Sequence, residues 1–151
     1  MFSIKRTDST DKDFITLVGL LDAELAVRDG GDHSFYAQYN KIDKINNVVV
    51  VYLDDKPVGC GAFKPFDAES IEVKRMFVSE TARNQKVATQ ILTMLEVWAK
   101  ELGYKKSVLE TGKRQPEAIA LYKKSGYIVT ANYGQYIGID NSICFEKVIA
   151  S

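Results

Sequence analysis

The feature that most constrains the fold is a change of hydrophobic period between residues 71 and 103. Up to Val78 the apolar residues follow strand spacing, whereas from about Asn84 to Leu102 they recur at the spacing of one helix face, and Gly103 marks the end. The apolar face of this helix consists of Val87, Ala88, Ile91, Leu92, Leu95, Trp98 and Leu102. A strand that passes into a long helix through a short turn predicts an α/β fold.

The other segments alternate in the same way. Apolar residues at helical spacing between Phe14 and Leu25 predict a first helix, with Asp8, Ser9 and Thr10 as candidate N-caps and Gly30-Gly31 at its end. β-branched residues on both sides of an Asp-Asp turn predict an antiparallel hairpin over 48–53 and 57–66. The remaining expected elements are a strand at 2–6, a short helix and loop at 33–44, a strand at 107–110, a helix from Pro116 to Gly126, and strands at 127–130 and 142–149.

Length and charge narrow the class of protein. The 151 residues contain no repeat or linker, and they predict one compact domain over 1–151. Because 20 basic residues balance 20 acidic ones, the chain lacks the basic excess of a general nucleic-acid binder. The first residues have no apolar signal core, and no apolar run approaches the ~18–20 residues of a membrane span. We therefore expect neither nucleic acid nor membrane as a partner.

The few chemically reactive residues exclude several kinds of site. Cys60 and Cys144 both lie in apolar runs, which predicts buried thiols in a reducing compartment and a cytoplasmic location. The single histidine, His33, cannot build a multi-histidine metal site, so no metal is expected. The sequence contains neither a G-x-S-x-G elbow nor a P-loop pattern, which disfavours serine hydrolysis and nucleotide hydrolysis.

The turn before the long helix is a candidate anion site. A helix start leaves backbone N–H groups unpaired and therefore attracts negative charge. Arg83 and Lys86 lie at this start, where helix stability alone would favour acidic residues, and Asn84 is predicted to be the N-cap. The two cations are expected either to hold an anion or simply to point into solvent, and local charge does not separate these alternatives.

Two segments carry a family resemblance. Residues 76–88, MFVSETARNQKVA, resemble the acyl-CoA pyrophosphate loop of the GNAT superfamily of N-acetyltransferases, V-x-P-x-x-[QR]-x-x-G-x-[GA], with matches at Val78, Arg83 and Ala88. Residues 118–127, AIALYKKSGY, are similar to the family segment A-x-x-L-Y-x-K-x-G-[FY]. The resemblance spans nearly the whole chain. It implies a central mixed, mostly antiparallel twisted sheet with helices on both faces, and acetyl-CoA as co-substrate.

The loop departs from the family pattern at three positions. Lys86 stands where the pattern has its central glycine, Asn84 where a glycine often follows the Arg, and Glu80 where the pattern has proline. If the loop is simply the first turn of a right-handed helix, the Lys86 amine can supplement the backbone donors. If a positive φ is required there, the loss of glycine is expected to impair binding.

The resemblance also implies roles for particular residues. Tyr122 is the candidate general acid that protonates the CoA sulfur. Alternatively, its role is structural, with the ring packed and the hydroxyl exposed. Glu72 is the candidate general base. Alternatively, its carboxylate is simply solvated or paired with Lys74. Glu110 is the second candidate for the general base. The implied acyl-CoA contacts are Met76, Phe77 and Val78 where the central strands splay, then Arg83, Asn84, Gln85, Lys86, Val87, Ala88, Gln115 and Tyr122, with Lys113 and Arg114 within reach of the 3′-phosphate.

The sequence says least about the identity of the molecule that accepts the acetyl group. Tyr36, Tyr39, Tyr133 and Tyr136, with Asn132 and Gln135, are candidates for the lining of an acceptor pocket or for ordinary half-buried loop residues. Strand alternation predicts that only one of Lys74 and Arg75 faces this pocket. Such a lining suits the primary amine of a small molecule or amino-acid-like acceptor, one form of which would have a carboxylate held by a basic residue.

Three alternatives stay open at this stage. A protein lysine or N-terminal acetyltransferase is a variant of the same class. A non-catalytic acyl-CoA-binding or interaction module is suggested by the altered loop residues Asn84 and Lys86. A homodimer through the late strand around Val148 and Ile149 is a further candidate, because edge strands invite pairing.

Overall fold

The computed structural model of the chain describes residues 2–29 and 44–150. The expected helix and loop after His33, with Tyr36 and Tyr39, fall outside these ranges, as do Gly30 and Gly31. The described strands are β1 (Phe2–Thr7), β2 (Asn47–Leu53), β3 (Lys56–Pro65), β4 (Ser70–Val78), β5 (Lys106–Gly112), β6 (Ile128–Thr130) and β7 (Ser142–Val148). The described helices are α1 (Lys12–Asp29), α2 (Val87–Glu101) and α3 (Pro116–Lys124).

The strands form one sheet in the order β1-β2-β3-β4-β5-β7-β6. Only the β4–β5 pair is parallel among the described strands, since β4 reaches β5 by a crossover through α2. Residues of α2 and α3 pack in one apolar cluster with one face of the sheet, and α1 packs in a second cluster with the other face. The expectation of a mixed, mostly antiparallel sheet with helices on both faces is confirmed.

Local turn chemistry follows the prediction at the hairpin and departs from it at α1. Asp54 and Asp55 have φ values of 50° and 70°, a left-handed pair that matches the twist of a two-residue hairpin. The expected cap of α1 is wrong. Oδ1 of Asp11 accepts the N–H groups of Asp13 and Phe14, each at 3.0 Å. Asp8 instead closes its own turn, so its side chain is no longer available to the helix.

A β-bulge in β4 reverses which residues face each side of the sheet. Cys60 pairs with Phe77 and Ala62 with Lys74, so Gly61 of β3 lies opposite two residues of β4. Arg75, the first of these two, has a φ of 62°. The extra residue bends the strand and shifts its alternation by one. Lys74 and Arg75 consequently line the same cavity, and the expectation that only one of them faces it is wrong.

The glycine at the bulge is required by close packing. A Cβ atom at Gly61 would lie 2.6 Å from Cγ2 of Ile91 and 2.7 Å from Sδ of Met76. Because this distance is far inside van der Waals contact, the absent side chain lets α2 lie against the bulged strand. The bulge and the start of α2 are thereby held in a defined relation to each other.

Both cysteines are buried, as predicted. Cys60 and Cys144 are fully buried free thiols. Burial raises the pKa of the Cys60 thiol to about 12 and that of Cys144 to about 11, so neither is an activated nucleophile at neutral pH.

Two surface features bear on contacts with membranes and with other chains. No helix within 2–29 and 44–150 is both long and apolar enough to cross a bilayer. β6 forms the far edge of the sheet, whereas Val148 lies at the end of β7, which is between β5 and β6, and is 71% exposed. Homodimer pairing through the late strands stays a prediction.

Candidate active site

Two central strands part in the middle of the sheet. β4 and β5 pair only where Ser70–Glu72 lie against Lys106–Val108. β4 then continues to Val78 beside β3, and β5 continues to Gly112 beside β7. Because the bulge bends β4, a gap opens between the two strands, at the place where the resemblance implies that they splay.

A cavity of about 120 Å³ occupies this gap. We call it the acceptor cavity. β4 contributes Glu72, Lys74 and Arg75 to its wall, and β5 contributes Glu110 and Thr111. Two carboxylates and two cations therefore lie around one small space. The rest of the wall comes mainly from apolar and aromatic residues: Leu21, Leu25, Val73, Met76, Ala118, Tyr122 and Tyr136.

A groove of about 510 Å³ adjoins the acceptor cavity. All the expected acyl-CoA contacts except Gln85 line it: Met76, Phe77, Val78, Arg83, Asn84, Lys86, Val87, Ala88, Gln115 and Tyr122. The Gln85 side chain is exposed, and its Nε2 donates to the Thr81 carbonyl oxygen at 3.3 Å. Lys113 and Arg114 are exposed and do not line the groove. The groove and the acceptor cavity share Leu21, Leu25, Met76, Gln115, Ala118 and Tyr122 as walls.

The turn at the start of α2 has the backbone that glycines would adopt. Asn84 has a φ of 65° and Lys86 a φ of 62°, whereas Gln85 between them does not have a positive φ. An alternation of right-handed and left-handed residues is the backbone pattern that can turn successive N–H groups toward one side. Lys86, not Asn84, is the N-cap of α2, so the predicted cap is wrong. Of the two loop conformations considered, the left-handed one is present.

Arg83 ties this turn to the rest of the protein. Its Nε donates to the Val78 carbonyl oxygen at 2.9 Å, and its Nη2 lies 2.7 Å from Oε2 of Glu24 on α1. The guanidinium also lies 5.9 Å from the centre of the Phe77 ring. The alternative that Arg83 merely points into solvent is wrong. Lys86, by contrast, is exposed and lies at the wall of the groove.

Tyr122 lies where the groove meets the acceptor cavity. The residue is 6% exposed, and its ring packs at 6.0 Å from Tyr127 and 5.9 Å from Phe145. Burial, together with the nearby Glu110 carboxylate, raises the pKa of the Tyr122 phenol well above its usual range. The phenol therefore keeps its proton at neutral pH and can act as a donor but not as an anion.

Glu72 is held from two sides. Its Oε2 accepts a hydrogen bond from the Tyr133 hydroxyl at 2.7 Å, and its Oε1 lies 3.7 Å from Nζ of Lys74. The pairing with Lys74, which the sequence offered as the alternative to catalysis, is present, yet the carboxylate also lines the acceptor cavity. Burial and this carboxylate raise the pKa of the Tyr133 phenol, which stays a hydrogen-bond donor.

The loop before β7 supplies aromatic residues in a defined arrangement. Nδ2 of Asn132 donates to the carbonyl oxygens of Tyr136, Ile139 and Ser142 at 3.1 to 3.2 Å, so Asn132 shapes the loop rather than the cavity. Tyr136 is 3% exposed and lines the acceptor cavity. Gln135 is half-buried outside it. Over residues 2–29 and 44–150 no cluster of three His, Cys, Asp or Glu side chains could hold a metal ion.

Comparison with known proteins gives the family. The family model for the acetyltransferase (GNAT) family matches residues 19–127, which is most of the chain. The chain belongs to the GNAT family of acetyltransferases. The predicted family membership is thereby confirmed.

Relatives and solved structures agree with this membership. The chain is 40% identical to the IAA acetyltransferase of Azospirillum brasilense over 92 residues, 60% of either protein. It spans about 60% of the length of the curated relatives it matches first. A Klebsiella pneumoniae protein assigned to the acyl-CoA N-acyltransferases is 26% identical, with a TM-score of 0.83 over 99% of this chain and 98% of that one. A GNAT acetyltransferase of Elizabethkingia anophelis, solved with acetyl-CoA bound, shares the fold at 21% identity and a TM-score of 0.70, over 97% of each chain.

Some residues at the site of this GNAT-family chain escaped the sequence analysis. Leu21 and Leu25 look like core residues of an amphipathic helix, but both are half-buried and line the groove and the acceptor cavity. Glu24 also lines the groove. No local pattern distinguishes these residues, because α1 meets β4 only through the tertiary fold.

The left-handed backbone at Lys86 leads to a stability prediction. A side chain with a Cβ atom is disfavoured at this φ, whereas glycine is not. We expect Lys86→Gly to raise the free energy of unfolding by about 0.5–1 kcal/mol and Tm by roughly 1–4 °C, after the added freedom of the unfolded chain is subtracted. Thermal and urea denaturation measure this gain. Lys86→Ala is the matched control, since it removes the amine but keeps Cβ; an equal gain in both variants would contradict the conformational explanation.

Proposed function

We propose that the protein is an acetyl-CoA-dependent N-acetyltransferase that moves an acetyl group directly to the primary amine of a small molecule or amino-acid-like acceptor. The observation that carries this proposal is the junction of the groove and the acceptor cavity at Tyr122. One substrate can lie along β4 in the groove while the other occupies the gap between β4 and β5. The two then meet beside a buried proton donor.

The start of α2 suits the diphosphate of acetyl-CoA. Asn84 and Lys86 have the positive φ that glycine adopts most readily, so the N–H groups of the turn can converge on phosphate oxygens. The exposed Lys86 amine adds a positive charge at the wall of the same groove. Arg83 contributes mainly by holding the turn to Glu24 and β4. Gln115 and the strand residues Met76 to Val78 line the path toward Tyr122.

The acceptor cavity provides the proton transfers that amide formation needs. Acetyl-CoA supplies the acetyl group as a thioester. Glu72, held by Tyr133 and Lys74, takes a proton from the acceptor ammonium so that the amine becomes a nucleophile. Tyr122 gives its proton to the sulfur as the C–S bond breaks, and the proton that the nitrogen loses as the amide forms restores the phenol. The raised pKa of Tyr122 keeps this proton in place at neutral pH. The protein would act in the cytoplasm, a reducing compartment that suits its two free cysteines.

A non-catalytic acyl-CoA-binding module was motivated by the altered loop. Because Asn84 and Lys86 adopt the backbone that the glycines would have, the substitutions alone no longer favour this alternative. An acceptor on a protein lysine or N-terminus is a question of substrate within the same activity.

The test combines binding with turnover. Titration calorimetry with acetyl-CoA, and with CoA lacking its 3′-phosphate as the matched probe, measures the affinity of the groove. An amine panel containing free amino acids, alkylamines, polyamines and short peptides then reports acetylation by mass spectrometry. We expect micromolar affinity and acetylation of at least one small amine. Absence of binding heat and of thermal stabilisation would refute the proposal, binding without turnover would favour the module, and acetylation of peptides alone would favour a protein acetyltransferase.

A further inference from the structure

Building on the proposed acetyl transfer, we propose that the acceptor is an amino acid or a related zwitterion, and that Arg75 binds its carboxylate while its amine faces Glu72. This inference rests on four observations at the acceptor cavity: the bulge in β4, the burial of Arg75, its partner on α1, and the balance of charge in the wall.

The bulge directs Arg75 into the acceptor cavity. Without the extra residue, strand alternation would turn Arg75 to the opposite face from Lys74. With it, both residues line the same cavity as Glu72. Arg75 is a bulky residue at a φ of 62°, a conformation that L side chains rarely adopt. A strained backbone that brings a cation to a cavity is the kind of outlier that functional sites preserve.

Arg75 is buried to an unusual degree for a cation. Its side chain is 3% exposed, and its Nη1 lies 3.4 Å from Oδ1 of Asp22 on α1. That distance is longer than the 2.7–2.9 Å or so of a close charge-assisted hydrogen bond. The Asp22 side chain is 45% exposed, so its carboxylate is still partly hydrated. A carboxylate that enters the cavity would add an anionic partner to this guanidinium, in the bidentate geometry that guanidinium favours.

The charge of the wall matches a zwitterion. The wall contains two cations, Lys74 and Arg75, and two carboxylates, Glu72 and Glu110, so it offers a partner to each charge of such a molecule. A polyamine would bring only positive charge toward Arg75, and a neutral alkylamine would offer it nothing. An acceptor with both groups places its amine by a carboxylate of the wall and its own carboxylate by a cation. The cavity volume of about 120 Å³ suits a short molecule rather than a folded protein surface.

The first experiment compares matched acceptors on the unmodified protein. Glycine, β-alanine, 4-aminobutanoate and L-alanine are each paired with the corresponding carboxamide, and kcat/KM is measured at saturating acetyl-CoA. We expect kcat/KM to be about tenfold or more higher for the carboxylate member of at least one pair. The reason is that an acceptor without a carboxylate does not supply this partner to the buried Arg75 guanidinium. The amine of each carboxamide is less basic than that of the corresponding amino acid, so a larger fraction of it is neutral at a given pH. Basicity alone therefore favours the carboxamide, which is opposite to the expected preference.

The second experiment tests Arg75 itself. Arg75→Gln is expected to lower the preference ratio toward one, mainly through a higher KM for the carboxylate member, and Arg75→Lys is expected to retain part of it. Lys105→Gln removes an exposed positive charge outside the site and should leave the ratio unchanged. Tm and acetyl-CoA affinity report whether each variant is folded. If Arg75→Gln does not fold, the matched pairs and Arg75→Lys still decide the inference.

Three outcomes overturn it. Equal or faster acetylation of the carboxamides by the unmodified protein excludes carboxylate recognition. A preference that survives unchanged in a folded Arg75→Gln assigns recognition to another residue. Acetylation of alkylamines, polyamines or peptides but of no amino acid refutes the inference and leaves the proposed acetyl transfer intact, whereas absence of any acetylation in the whole panel refutes both.

Discussion

Replacing Tyr122 by Phe is expected to lower kcat for acetyl transfer by about a hundredfold or more, the scale of losing a positioned general acid. The substitution keeps the ring that packs against Tyr127 and Phe145 and removes only the hydroxyl. Because burial and Glu110 raise the pKa of Tyr122, the phenol is protonated throughout the neutral range. Its loss should therefore lower the rate without moving the alkaline limb of the pH profile.

Two measurements separate a catalytic role of Tyr122 from a structural one. Acetyl-CoA affinity, measured by calorimetry, should change by less than about threefold, since the lost group acts mainly in the transition state. Tyr104→Phe is the matched control, because Tyr104 packs against Phe63 and does not line the groove or the acceptor cavity. An unchanged kcat in Tyr122→Phe, with an identified acceptor, would remove Tyr122 from the mechanism. A large loss of acetyl-CoA affinity would assign it to binding instead.

Glu72→Gln is expected to lower kcat/KM by roughly a hundredfold at neutral pH, because the amide cannot take the proton of the acceptor ammonium. The amide oxygen can still accept the Tyr133 hydroxyl hydrogen that Oε2 now accepts. The deficit should shrink as the pH rises toward the pKa of the acceptor amine, where the amine is neutral without help. A pH profile of kcat/KM for both proteins measures this convergence.

The rival carboxylate supplies the comparison for Glu72. Glu110 also lines the acceptor cavity and raises the pKa of Tyr122. If Glu72 is the base, Glu110→Gln should cost less activity than Glu72→Gln and show no convergence with pH. The reverse order of the two variants would transfer the role to Glu110. A constant deficit of Glu72→Gln at every pH would indicate that its contacts with Tyr133 and Lys74 matter more than proton removal.

Most of the described secondary structure was predictable from the chain alone. The period of the apolar residues indicated α2, and the Asp54-Asp55 turn indicated the β2–β3 hairpin, because both signals depend on near neighbours. Element ends were less exact. Asp8 and Asp11 offer the same capping chemistry, and only the hydrogen bonds of the folded chain show that Asp11 caps α1.

The site was predictable where a motif marks it. The pattern-matching residues that line the groove are Val78, Arg83 and Ala88 at the loop and Ala118, Leu121 and Tyr122 of α3, whereas Lys124 does not line it. The backbone of the loop was not predictable, since nothing in the sequence forces Asn84 and Lys86 into the left-handed region. The surrounding structure imposes it, partly through the link from Arg83 to Glu24, 59 positions away.

The sequence by itself thus determined the order of helices and strands, the family and the position of Tyr122, since local spacing and short motifs encode them. Only the tertiary structure decided which side chains share the acceptor cavity. Arg75 lies on the same side of β4 as Lys74 because two residues of β4 lie opposite the single residue Gly61 of β3. Leu21 and Leu25 reach the site because α1 packs against β3 and β4. Both depend on contacts between segments far apart in the chain, and local periodicity carries no record of such contacts.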